Sequence, residues 1–231
     1  MKKSLVTSLI VTLISIASSG QNGFNFKYEV LDPNRAGKIF HNPITGADKP
    51  KGSPYHQPLF ISAKVENVAQ KALMRYNVYS DDFEFITAKN DTLILDKIDD
   101  FSNIVFSGTN KKYMLVNYTG SNGKSERGYL ISFYDKGNFL LCKKENIRLY
   151  EGKVAKTSLE KDMPAKYVKT DDTYFLKIKD GAIVEFPDSK KQLVKLFPDK
   201  KQPIEAFLKE KTISFNEAAD RIKIIDFLAT M

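Results

Sequence analysis

Residues 112–144 read KYMLVNYTGSNGKSERGYLISFYDKGNFLLCKK, and this stretch decides the fold. Lys112 to Tyr118 and Arg127 to Tyr134 are apolar, aromatic-rich runs on either side of the Thr119-Gly120-Ser121-Asn122-Gly123 loop. Asp135-Lys136-Gly137-Asn138 is a tight turn in which Gly137 suits a positive φ, and Phe139 to Lys144 returns from it. Three strands joined by loops this short must pair antiparallel, because parallel strands need crossovers of about a dozen residues.

The same grammar extends outward. Upstream, strands are expected at Leu59–Glu66, Leu73–Ser80, Phe83–Ile86, Thr92–Leu95 and Asn103–Ser107, with Asp81-Asp82 and Lys89-Asn90-Asp91 as turns. Downstream, Asn146–Tyr150 continues the return strand. A charged linker follows, Glu151–Pro164, with a helical turn expected around Ser158–Lys161. Lys166–Lys169 and Thr173–Lys179 read as two strands, and Asp180-Gly181 turns into Ala182–Phe186. Beyond Pro187 the apolar period changes from two to 3.6. Helices are expected at Ser189–Phe197, at Lys200–Glu210 capped by Asp199, and from a Ser214/Glu217 capping box to about Ala229. In the third, Ala218, Ile222, Ile225 and Ala229 form the expected buried stripe. The expected fold is α+β: a mainly antiparallel β meander or curved sheet, residues 59–188, with a C-terminal cluster of short helices, residues 189–231, packed on it or closing one end.

The N-terminus reads as a signal peptide over residues 1–20. Lys2 and Lys3 precede an apolar run from Leu5 to Ile16, and Ala17-Ser18-Ser19-Gly20 supplies small residues for cleavage before Gln21. The run is short of the ~20 residues a membrane span needs, so no transmembrane segment is expected after cleavage. No cysteine stands at the first mature position, which argues against a lipid anchor. The expected location is periplasmic or secreted. Residues 21–58 form a Pro/Gly-rich leader. It opens on an alternating run, Phe24 to Leu31, that suits a strand, and from Asp32 to Pro58 holds five of the nine prolines and both histidines, His41 and His56. That breaker density predicts an ordered loop or linker, neither helix nor central strand.

Composition narrows the chemistry. The chain has 231 residues, 42% hydrophobic and 28% charged, with 16 Phe, 11 Tyr and no Trp, a bias towards pleated, half-buried surfaces. Its formal net charge is +8, yet export makes nucleic acid a poor partner, and scattered lysines keep a surface soluble. The lone cysteine, Cys142, sits in an apolar strand as a small buried hydrophobe. Gly-rich phosphate loops and closely spaced metal-ligand pairs are missing, so no cofactor or metal is expected. His41 and His56 read as unrelated solvent-exposed loop residues. Ser53, three before His56, is held extended by Pro54 and makes a poor nucleophile. The acidic pairs Asp81-Asp82, Asp99-Asp100 and Asp171-Asp172 fall where strands end and serve turns better than glycoside hydrolysis. Tyr76, Tyr79, Tyr113, Tyr118, Tyr129 and Tyr134 are expected at the core edge, with a sugar- or lipid-binding concave face as the alternative.

Three spots carry a resemblance: Gly52-Ser53-Pro54-Tyr55; Arg75-Tyr76-Asn77-Val78-Tyr79 followed by Phe83-Glu84-Phe85; and Leu193 to Leu228 with its Leu196–Lys201 join, LFPDKK. The chain resembles a set of uncharacterised exported bacterial proteins, β-rich with a helical C-terminus. That resemblance implies export and this architecture, and brings no catalytic residues. The expected function is a non-enzymatic envelope binding or interaction module. A hydrolase of an envelope glycan or lipid, and a carrier of an apolar ligand, remain alternatives. The expected partners are an envelope glycan, lipid or protein, and the candidate ligand contacts are Tyr55, Arg75, Tyr76 and Tyr79.

Overall fold

A computed structural model describes residues 30–39, 49–157 and 160–231. A one-turn helix α1 (Pro33–Ala36) leads into β1 (Gly37–Ile39), and ten more strands follow: β2 (Ile61–Val65), β3 (Ala72–Asn77), β4 (Asp82–Ile86), β5 (Thr92–Leu95), β6 (Asn103–Phe106), β7 (Lys112–Thr119), β8 (Ser125–Lys136), β9 (Phe139–Tyr150), β10 (Lys166–Ile178) and β11 (Ile183–Glu185). The helices α2 (Lys190–Leu196), α3 (Lys201–Glu210) and α4 (Ala218–Leu228) end the chain. The expected α+β class, a largely antiparallel sheet with short C-terminal helices, is the fold observed.

The sheet runs β1-β5-β4-β3-β2-β6-β7-β11-β10-β9-β8, and β8 also pairs with β7. Strands β7 to β11 therefore close on themselves as a five-stranded ring. The closing pair, β11 with β7, is parallel, Ile183 opposite Tyr118 and Val184 opposite Thr119. Sequence alone missed this pair, since the logic of short connections applies to consecutive strands and these two are distant in the chain. Tyr118, Leu130, Cys142, Phe175 and Ile183, one from each of the five strands, fill the ring's interior. Burial pushes the Cys142 thiol up to about 12, so it stays an inert apolar filler.

The ring's outer face is covered twice. Tyr113 and Leu115 of β7, Tyr129 and Ile131 of β8 and Ile147 of β9 belong to a core shared with β2–β6. Phe139, Leu141 and Leu176 instead meet Leu193, Ile204, Leu208, Ile224, Ile225 and Leu228 of the helices. This explains why β7 and β8 read as near-continuous apolar runs: each is buried on both faces. Each large side chain so buried contributes about 1.5–3 kcal/mol relative to exposure.

A partly buried polar contact adds to this shared core in tying the meander to the ring. Asp81, at φ 59° in the β3–β4 turn, accepts hydrogen bonds from Tyr76 Oη at 2.6 Å and Tyr129 N at 3.2 Å. Gly128 makes the approach possible, since a Cβ there would lie 2.3 Å from Asp81 Oδ2.

Several expectations change. Asp32-Pro33 opens a helix inside the leader, because Asp32 Oδ1 caps the Asn34 N–H at 2.9 Å and proline suits the first helical position. The following β1 pairs with β5 and is an edge strand among the described residues. The two strands expected on either side of residues 170–172 are one, β10, with a register shift between Thr170 and Thr173. Asp171-Asp172 thus sits in a bulge, not at a strand end. Asp81 does lie in the β3–β4 turn, but Asp82 opens β4, and Asp99-Asp100 begin a 3-10 turn ahead of β6. The capping box does not form: Glu217 stands at the N-cap of α4 without a side-chain bond, and Asp220 Oδ2 accepts the Ser214 N–H at 2.8 Å instead. The buried stripe of α4 is Ile224, Ile225 and Leu228, while Ala229 is exposed. Asp199 lies in a 3-10 turn before α3 and makes no cap. The expected strand at 24–31 lies outside the described residues but for its last two, which are not in a strand. His41 and part of the expected turn at 158–161 lie outside them as well. Among the described residues no helix is long and apolar enough to cross a membrane.

Candidate functional site

The last residues of the leader are pinned as extended chain. Lys51 N donates to Ala165 O and Tyr167 N to Lys51 O, both at 2.8 Å, and Val78 N donates to Pro54 O at 3.0 Å. These bonds lay His56 over β9. The β6–β7 turn, left-handed at Gly108 and Asn110, brings Lys111 to the same place. Between them opens a cavity of about 370 Å3. Ile61, Tyr76, Val78, Phe106 and Tyr113 form its apolar wall, and His56, Arg75, Ser107, Lys111 and Glu145 its polar side, with Gln57 at the mouth. That volume and mixture suit a small ligand.

Glu145 organises the polar side. Its side chain is only 5% exposed. Lys111 Nζ lies 2.7 Å from Oε1 and Lys143 Nζ 3.9 Å from it. On the other oxygen, Tyr113 Oη donates at 3.3 Å and His56 Nδ1 sits at 3.4 Å. Burial opposes ionisation of Glu145, but the Lys111 hydrogen bond and the charges of Lys111, His56 and Lys143 outweigh it and hold the carboxyl below its ordinary range. The Tyr113 phenol is pushed up, first by burial and then by Glu145, and stays a neutral donor. His56 is thus not the solvated loop histidine expected: its side chain is 18% exposed, and Nε2 is buried with no hydrogen-bond partner among the described residues.

A depressed folded-state pKa stabilises above the unfolded value and is lost as pH falls through the folded one. Unfolding free energy is therefore expected to drop on acidification below about pH 4. Glu145→Gln should flatten that acid limb, and urea midpoints measured across the pH range check it.

Of the four expected contacts, Arg75 and Tyr76 line the cavity. Tyr76 is buried and its hydroxyl is committed to Asp81. The Arg75 guanidinium lies 4.1 Å from the Tyr55 ring centroid and 4.4 Å from that of Phe60. Its Nε donates to Glu84 Oε2 at 2.6 Å and Nη1 to Pro58 O at 3.2 Å. Tyr55 Oη donates to Glu84 Oε1 at 2.7 Å, so Tyr55 supports the cavity from behind Arg75. Tyr79 is elsewhere, half exposed and edge-on to Tyr167. Among the other tyrosines, Tyr113 and Tyr129 are core residues, Tyr118 is inside the ring, and Tyr134 Oη donates to Asp226 of α4 at 2.5 Å. They do not share one concave face.

Glu145 and Lys111 carried no sequence signal of their own. In retrospect, Lys143-Lys144-Glu145-Asn146 is a charged interruption of a strand apolar on both sides, a place where a strand passes a polar site. Ser107, on the cavity wall, makes no hydrogen bond to His56 Nε2. Ser53 Oγ accepts the Tyr55 N–H at 3.1 Å. Among the described residues Glu145 is the one carboxylate on the cavity wall. No match to this chain is found among protein-family models, curated proteins or solved structures.

Proposed function

We propose that this chain is an exported, non-enzymatic binding module of the cell envelope and that the cavity beneath His56 is its ligand seat. The observation that carries this reading is the cavity itself, an apolar wall facing a polar side whose geometry is fixed by the Glu145 cluster. A seat of about 370 Å3 fits a small molecule or the end of a larger one, and not the length of a polymer. Preorganised polar groups lower the ordering cost of binding.

A hydrolase is the weaker reading. A hydroxyl nucleophile needs a base within hydrogen-bond reach, and His56 Nε2 has no such partner. Glycoside hydrolysis needs a second carboxylate facing the first, and Glu145 faces cations and a phenol.

Saturation-transfer NMR tests the seat with three probes of one shape: 3-phenylpropionate, 3-phenylpropionamide and 3-phenylpropanol. At least one binds the wild-type chain with a Kd of about 1 mM or better, a fragment's affinity. Ser107→Trp, which places an indole on the cavity wall, weakens that binding at least tenfold while leaving the thermal midpoint near wild type. Absence of binding by all three, or binding indifferent to Ser107→Trp, sinks the proposal.

A further inference from the structure

The hydrogen-bonding capacity left over on the cavity wall is unbalanced. Both Glu145 oxygens are occupied from within the protein, Oε1 by Lys111 and Lys143, Oε2 by Tyr113 and His56. The Tyr76 hydroxyl is taken by Asp81. On the donor side, a guanidinium carries five N–H groups and an ammonium three. Arg75 commits Nε and one Nη1 hydrogen, and among the described residues its Nη2 makes no bond. Lys111 commits its ammonium to Glu145 alone among the described residues and retains further N–H groups. Ser107 adds a hydroxyl that bonds nothing described. Exposed Gln57 and Thr109 each offer donor and acceptor alike, so the excess of donors comes from Arg75, Lys111 and Ser107, of which two are cationic. The one spare acceptor on this wall that is buried is His56 Nε2, which itself becomes a donor on protonation.

We infer that the cavity selects a small organic acid, its ring or short chain against Tyr76, Val78 and Phe106 and its carboxylate on the donors of Arg75, Lys111 and Ser107. Hydrogen bonds from cationic donors to a carboxylate are roughly twice as strong as neutral ones, and an amide or alcohol of the same shape forfeits that gain. This inference rests on the proposed seat and adds its chemical class.

The same three probes separate the two claims, because they share a phenylpropyl body and differ at the head. The expected result is that 3-phenylpropionate binds at least tenfold tighter than the amide or the alcohol. Lys111→Gln combined with Glu145→Gln removes one cationic donor and its internal partner together, so no lone charge is left behind. In that double variant the ratio of acid to amide or alcohol affinity should fall most of the way to one, whatever the seat as a whole loses. Lys111→Arg should retain the preference. If all three probes bind alike and all are weakened by Ser107→Trp, the seat stands and the acid selectivity is overturned. If the double variant leaves the acid preference intact, the assigned donor is wrong and the inference is overturned. If none of the probes binds, both claims fail.

Discussion

Arg75→Met is expected to lower the unfolding free energy by about 3–5 kcal/mol. Its partner Glu84 is fully buried. Without the guanidinium at 2.6 Å, the carboxylate keeps only the Tyr55 hydroxyl at 2.7 Å and the Asn77 amide at 3.3 Å. Two neutral donors do not offset the desolvation of a buried charge. The loss is therefore that of an orphaned charge, which exceeds the net worth of the pair. Adding Glu84→Gln to Arg75→Met should recover a large part of the stability, since an amide in that place has no charge to desolvate. Urea unfolding of the wild type, both single variants and the double variant closes the cycle. A double variant as unstable as Arg75→Met alone would show that the effect comes from lost stacking on Tyr55 and Phe60 and not from Glu84.

Phe83→Ala is expected to cost a similar amount, about 3–5 kcal/mol, for an unrelated reason. Phe83 is fully buried, with the rings of Tyr129, Tyr76 and Tyr113 centred 4.7, 4.9 and 5.1 Å away and Phe106 at 5.8 Å. Truncation opens a void between strands that pair on different sides of the molecule, where the backbone cannot collapse to fill it. Tyr76, Tyr113 and Phe106 also wall the ligand cavity. Binding of the phenylpropyl probes should weaken in the same variant at temperatures where it is still folded. A loss of unfolding free energy under about 1 kcal/mol in chemical denaturation would contradict this account.

The strands were legible because their signals are local. Thr92–Leu95 is a strand with the expected bounds, and Gly137 takes the left-handed φ of 59° that its turn suggested. At Asp180-Gly181 the hairpin forms, but Lys179 carries the positive φ of 51°, so the dipeptide marked the turn and not its geometry. What escaped the sequence is what depends on distant pairs. The parallel join of β11 to β7 has no local mark, and neither does the bulge that merges two expected strands into β10. Candidate-site reading divided the same way. Arg75 and Tyr76 stood out as polar-aromatic residues within a strand. Glu145 and Lys111 become partners only where β9 and the β6–β7 turn meet beside the leader, and His56 departs from expectation because this loop, unlike most, is packed down over a strand.

The ring closed by β11 has a consequence for how the chain must be made. Until Glu185 has left the ribosome, or crossed the membrane if the protein is exported, the second half of β7 and the free side of β10 are bare strand edges. In the finished ring β11 covers Tyr118 and Thr119 of β7 and Phe175 to Lys177 of β10, and an unfinished ring offers these edges to any neighbouring chain. Because this contact joins distant parts of the sequence, it is slow to form and is made after the local hairpins. Fragments ending before Ile183 would therefore be sticky rather than merely less stable. The short strand β11 is thus the latch between β7 and β10, the last contact needed to close the ring.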